Sequence, residues 1–242
     1  MKKILGIDGF KYLTDERLFE IYKTLEWNSR IFDIVLVFCQ TKEDYNAFKK
    51  YNSEKIKVFD LNCDRISMQK LYTMVNENSD ENDFKFFANS DTVFGEEFLN
   101  VSIDDDVFML LTNRGMINED GKYIKSEDDA LMLFNNHLIL DKNKFDGNDS
   151  VSRRMHHAMC GWGWKTPKPM SNKFTCFLGN PGGENCFLRE IRATGFLPKS
   201  GALIYHTYHN HRTDERTERF LTRIDNGLGD GELKINNGEI IL

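Results

Sequence analysis

No apolar run in this chain is long enough to cross a bilayer, so a membrane-spanning role is not expected. Met1-Lys2-Lys3 opens like a secretory leader, but Asp8 cuts the apolar stretch after four residues. The chain is therefore read as soluble, uncleaved and cytoplasmic. The five cysteines, Cys39, Cys63, Cys160, Cys176 and Cys186, form no C-x-x-C pair, which argues for reduced thiols over a disulfide or zinc framework. An excess of positive charge is also missing. The formal net charge is -6 and the pI about 5.6, which disfavours non-specific nucleic-acid binding. No repeat, low-complexity tract or linker divides the chain, so a single domain over 1–242 is expected.

What is present suits a large core. At 242 residues, with 40% hydrophobic and 12% aromatic content, the chain needs no staples. Its first half alternates strand and helix. Ile4 to Ile7 reads as a strand, and Thr14 as the cap of a helix with Asp15 and Glu16 in its first turn and Leu18, Ile21, Tyr22 and Leu25 on one face. Ile34 to Cys39 is a buried strand, followed by a capping box at Thr41-Lys42-Glu43-Asp44. Ile56 to Leu61 is a third strand, and Ser67 caps a helix with Met68, Leu71, Tyr72 and Val75 inward. Phe84 to Ala88 is the next strand, completing a Rossmann-like nucleotide-binding half over 1–112.

The second half, 113–242, is less regular. Val107 to Thr112 leads into it as a strand, and Asp120-Gly121 and Asp146 to Ser150 read as turn and loop. Glu184 to Thr194 reads as a helix stopped by Gly195, Ala202 to Tyr208 as a late strand, and Asn237-Gly238 as a hairpin turn.

Asn89-Ser90-Asp91 follows the buried strand Phe84 to Ala88, at the carboxyl end where ligands of such sheets bind. A hard cation bridging phosphates needs only one or two carboxylates, which suits Asp91; a simple turn is the alternative. Gly179 to Gly183 forms a glycine-rich turn that places Glu184 in the first turn of a helix, as a functional acid or as an ordinary cap. His206, His209 and His211 cluster at a strand end, with His209 and His211 on one face, as metal ligands or as polar surface; His156 and His157 carry less information. Trp162 and Trp164, set among glycines near Pro167 and Pro169, could stack on a sugar from a loop or pack in the core. Arg212, Arg216, Arg219 and Arg223 share a helical face, best read as solvated and ion-paired with Glu215 and Glu218.

Together these residues resemble a nucleotide-sugar-dependent glycosyltransferase of the GT-A fold. The resemblance runs from the helix at Glu16-Arg17, through Asp33 to Phe38, Arg65 and the A-N-S-D segment Ala88 to Asp91, to Leu111-Thr112-Asn113-Arg114 and the late block Phe177 to His211. The G-G-E element is similar to the G-G-E-D of metal-dependent galactosyltransferases, with Asn185 in place of the second acid. That family's S-Q-D-x-W segment stands here as Ala158-Met159-Cys160-Gly161-Trp162, keeping the tryptophan and losing the acid.

The resemblance implies an α/β fold with a mostly parallel central sheet flanked by helices. It further implies a manganese or magnesium ion on Asp91, aided by His209 or His211, with Arg65, Asn89 and Ser90 near the donor nucleotide. Glu184 would act as catalytic base, and Trp162, Trp164 and Asn185 would meet a glycan or other hydroxyl acceptor. Inversion is the preferred outcome. Two rivals stand beside this reading. One is an enzyme that makes a nucleotide-sugar, although Gly6 to Lys11 is a faint version of the glycine- and basic-rich loop it would need. The other is a catalytically silent carbohydrate-binding relative.

Overall fold

Along β2 (Ile34–Cys39), Val35 and Val37 face one layer of the core while Leu36 and Phe38 face the other, as the period-2 alternation of a strand covered on both sides requires. The same division holds in β1 (Lys3–Gly9), where Ile4 belongs to the second layer and Leu5 and Ile7 to the first. The computed structural model describes residues 1–10, 15–63, 65–117, 159–170, 175–178, 183–207, 234–236 and 239–241.

Within these residues the elements follow as β1, α1 (Asp15–Ile31), β2, α2 (Lys42–Phe48), β3 (Ile56–Asp60), α3 (Met68–Glu77), β4 (Phe84–Ala88) and β5 (Thr92–Phe94). Then come β6 (Val107–Ile117), β7 (Met159–Trp164), α4 (Gly183–Ala193), β8 (Leu197–Thr207), β9 (Lys234–Asn236) and β10 (Glu239–Ile241). All ten strands join one sheet in the order β3-β2-β1-β4-β7-β6-β8-β10-β9, with β5 added against β8. From β3 to β8 in that order the strands run parallel except β7, which is antiparallel to both β4 and β6. The architecture is α/β, a mostly parallel central sheet with helices on both faces.

Two local signals act as the sequence predicts. Thr41 and Asp44 close a reciprocal capping box on α2, and the Ser67 hydroxyl accepts the Lys70 amide at the start of α3. Helix α1 covers one face with Ile21 and Leu25, while α3 and α4 cover the other with Leu71, Val75, Phe187 and Ile191. Gly6 makes the α3 approach possible, since a Cβ there would collide with Val75 Cγ2. The pairing of β9 with β10 places a hairpin around the Asn237-Gly238 pair, which itself lies outside the described residues. Among the described residues no helix is long and apolar enough to cross a membrane, and none of the five cysteines is in a disulfide.

The tryptophans correct the loop expected at Gly161 to Trp164. This stretch is strand β7, and Trp162 and Trp164 are both fully buried. Trp162 stacks on Phe87 at 4.7 Å and Trp164 on Phe108 at 5.7 Å between ring centroids. The glycines point to the opposite face, where a Cβ on Gly163 would lie 2.6 Å from the Phe86 ring. Large and small residues thus alternate to let the Phe86 ring fill the space the glycines leave. Neither indole has a face left for an acceptor.

Candidate active site

The ladder between β1 and β4 ends at Ile7 and Ala88, so Asn89 leaves the sheet at its carboxyl edge beside Asp8, which stays paired with Phe38 of β2. The Asn89-Ser90-Asp91 turn is pinned by backbone and side chain. The Asn89 amide donates to the Cys160 carbonyl at 3.1 Å, the Ser90 amide to Asp8 Oδ1 at 3.1 Å, and the Thr92 amide to the Asn89 carbonyl at 3.0 Å. The stretch is therefore both the turn and the carrier of a buried acid, since Asp91 is 8% exposed. Asp8, which the sequence offered only as the residue that ends an apolar run, is a member of the site. Burial first, then the neighbouring Asp91 charge, pushes its carboxyl from 3.8 up to about 7, against the pull of the Ser90 amide and of Arg65.

Arg65 arrives from the loop between β3 and α3, which turns at Asn62 with φ of 44°, a conformation Asn tolerates. Its guanidinium donates to the Leu178 carbonyl at 2.9 Å and lies 4.8 Å from the Phe177 ring centroid. The segment that carries those partners is itself bound to the start of α3 through Met68 N to Cys176 O at 2.7 Å. Helix α4 begins just beyond it and places Glu184 in its first turn. A helix start normally favours an ionised acid. Here burial dominates and raises the Glu184 carboxyl from 4.5 to about 7, with only a backbone N–H working the other way.

Cys160 connects the two sides. Its buried thiol is pushed up by burial, then by Asp91, then by Glu184, so both carboxylates act on one sulfur. The structure thus brings together Asp8, Arg65, Asn89, Ser90, Asp91, Cys160 and Glu184, from β1, the loop before α3, the end of β4, β7 and α4. It removes Trp162 and Trp164 from the set. His209, His211 and the arginines 212, 216, 219 and 223 lie outside the described residues, as do 146–150 and the side chain of Asn185. His206 is paired in register with Thr92, the residue after Asp91.

The donor chemistry of this edge fits a hard cation completed by phosphate oxygens. One or two carboxylates are what such an ion takes from protein, and Asp91 supplies one in a fixed turn. Among the described residues no group of three or more His, Cys, Asp or Glu is placed to hold a metal unaided.

No family model matches the chain, and no curated protein matches it. Solved structures similar to it include mannose-6-phosphate isomerase from Helicobacter pylori, at 18% identity and TM-score 0.35 over 48% of this chain and 51% of that one. HddC from Yersinia pseudotuberculosis matches at 14% identity and TM-score 0.35 over 47% and 59%. The chain thus spans between half and three-fifths of the length of these two structures. 4-Diphosphocytidyl-2C-methyl-D-erythritolsynthase from Anaerococcus prevotii matches at 11% identity and TM-score 0.43 over 88% of this chain and 94% of that one.

Proposed function

We propose that this chain is an enzyme of sugar-nucleotide chemistry that moves a sugar from a nucleoside-diphosphate sugar to a hydroxyl acceptor, a glycan or polysaccharide, with inversion. The observation that carries the reading is Glu184, a carboxyl at the start of α4 raised to about 7 by burial, whose charge and that of Asp91 both push up the Cys160 thiol. An attacking hydroxyl must shed its proton, and a base works best when its pKa lies near the working pH. The acceptor oxygen bonds to the anomeric carbon as the bond from that carbon to the donor phosphate breaks. The electron pair leaves with the nucleoside diphosphate, and the proton passes to Glu184.

Asp91 is the residue to hold manganese or magnesium, with His209 or His211 as helpers; the ion supplies charge that offsets the diphosphate. Arg65, Asn89 and Ser90 line the donor side, within the nucleotide-binding half 1–112. Asn185 follows Glu184 toward the acceptor side, within 113–242. Five cysteines without a disulfide agree with a cytoplasmic setting.

A second reading is formation of the nucleotide-sugar itself. The names of the similar structures, a diphosphocytidyl-product synthase and an HddC complexed with GMP-PN, lie nearer to this reading. A sugar-phosphate nucleophile, however, arrives ionised and needs no base. The raised Glu184 therefore favours a hydroxyl acceptor.

Thermal-shift measurements with uridine and guanosine diphosphates and their sugars, with and without manganese, test the binding, because a ligand of the folded state raises its stability. Asp91→Ala should abolish the manganese-dependent rise. Unchanged affinity and metal response in that variant would sink the assignment. Pyrophosphate release from a nucleoside triphosphate and a sugar 1-phosphate would establish the second reading instead, and absence of donor hydrolysis with intact binding would mark a silent carbohydrate-binding protein.

A further inference from the structure

We infer that Asp8 is the positioning residue of the Asn89-Ser90-Asp91 turn, its carboxylate oxygen setting where the Asp91 side chain stands; the consequence for cation binding rests on the proposed role of Asp91. The ladder between β1 and β4 stops at Ile7 and Ala88, so the turn beyond it has no sheet partner on this side. A buried amide there needs an acceptor. Ser90 is 1% exposed, so water cannot take the place of the carboxylate that its amide meets at 3.1 Å. Two more backbone amides of the turn, Asn89 to the Cys160 carbonyl and Thr92 to the Asn89 carbonyl, are tied backbone to backbone, and the Thr92 hydroxyl donates to the Cys160 carbonyl at 3.4 Å; of the three amides, that of Ser90 is held by a side chain. Asp8 reaches across 82 residues of sequence and comes from a strand whose neighbours, β2 and β4, hold it on both edges.

Asparagine keeps the accepting oxygen and drops the charge, while alanine drops both, so the pair separates anchoring from electrostatics. The full-length chain carrying Asp8→Ala or Asp8→Asn is compared with the wild type in two measurements. One is amide hydrogen exchange of the peptide spanning Ser90 and Asp91; the other is manganese(II) affinity in the presence of uridine or guanosine diphosphate. Asp8→Ala should speed exchange of this peptide and weaken manganese binding by about tenfold, the scale of one lost buried hydrogen bond. Asp8→Asn should recover most of both. Unchanged exchange in Asp8→Ala overturns the anchoring. An Asp8→Asn protein that keeps the protected turn yet binds manganese as poorly as Asp8→Ala overturns positioning in favour of a direct charge on the ion. If the wild type binds no manganese with either diphosphate, the Asp91 assignment fails, and the exchange comparison by itself decides the role of Asp8.

Discussion

Asn28, buried in α1, donates its side-chain amide to the Thr92 carbonyl at 2.8 Å, and its carbonyl oxygen accepts the Phe94 amide at 3.1 Å. Both ends of one amide thus grip β5, the strand that leaves the Asp91 turn. Asn28→Ala exposes no new surface to water and strands two backbone groups. It should cost about 1–3 kcal/mol for each group left unsatisfied, seen as a lower urea midpoint with an unchanged m-value. Because β5 fixes the exit of the turn, the manganese-dependent thermal shift should shrink as well. A variant as stable as the wild type would mean that the clamp is not made in solution.

The two β7 tryptophans should respond differently to phenylalanine. Trp164 donates its indole N–H to Asn76 Oδ1 at 2.8 Å, whereas the buried Trp162 N–H has no partner among the described residues. Trp164→Phe loses packing and the donor to Asn76 Oδ1, while Trp162→Phe loses packing and removes a donor with no partner among the described residues. Trp162→Phe should therefore be the milder change by about 1 kcal/mol in chemical denaturation. Neither should alter donor or acceptor affinity in a folded protein, and a selective loss of acceptor binding would return the indoles to the site.

The contrast between these tryptophans and the rest of the first half shows what the sequence could and could not reveal. The bounds of β2 and β4, and the caps at Thr41 and Ser67, were legible because each depends on residues within one turn or one short run. Read one residue at a time, Gly161 to Trp164 favours a loop through its glycines and the nearby Pro167 and Pro169. Its strict large-small alternation is the signal of a strand packed beside a bulky neighbour, here Phe86. Asp8 does not stand out in the sequence because its importance lies in register. Only the parallel pairing of β1 with β4 places it beside a turn 82 residues away. The raised carboxyl of Glu184 was likewise out of reach, since a helix start argues locally for a lowered value and burial reverses it.

Placing an acid at Cys160, where the glycosyltransferase pattern that the sequence resembles has one, should harm this protein near neutral pH. The thiol already lies in the field of Asp91 and Glu184, and a neutral sulfur adds no charge to theirs. Cys160→Asp would bury a third carboxylate among them, which costs either desolvation or uptake of a proton. The melting temperature should fall by several degrees at pH 8 and recover toward pH 5. A variant as stable as the wild type at pH 8 would place position 160 in contact with solvent or cation.

Stability should also depend on Glu184 in a defined window. Its folded carboxyl holds a proton up to about 7, against 4.5 ordinarily, so the folded state binds more protons between these values. The stability it lends is complete below 4.5 and is lost as pH rises through 7, by about 1.4 kcal/mol per pH unit. Asp8, raised from 3.8 to about 7, adds a slope of the same sign. In urea titrations from pH 4.5 to 8, Glu184→Gln should give a visibly shallower decline than the wild type. Parallel profiles would mean that the carboxyl is hydrated in solution.

The sharpest separation of binding from chemistry comes from the same substitution in turnover. Glutamine keeps the size and planarity of Glu184 and its place in the first turn of α4, but it cannot take a proton at neutral pH. Donor and manganese affinity, which the proposed function assigns to Asp91 and Arg65, should persist within about threefold, a difference below 1 kcal/mol. Transfer to a hydroxyl acceptor should fall by roughly a hundredfold or more, the usual contribution of a positioned general base. Because the wild-type carboxyl titrates at about 7, its rate should rise with pH through that value as the base form accumulates. The residual rate of the variant should lose that limb and follow solvent hydroxide instead. Near-normal turnover with a flat pH profile would place the base elsewhere or point to a retaining route that needs none.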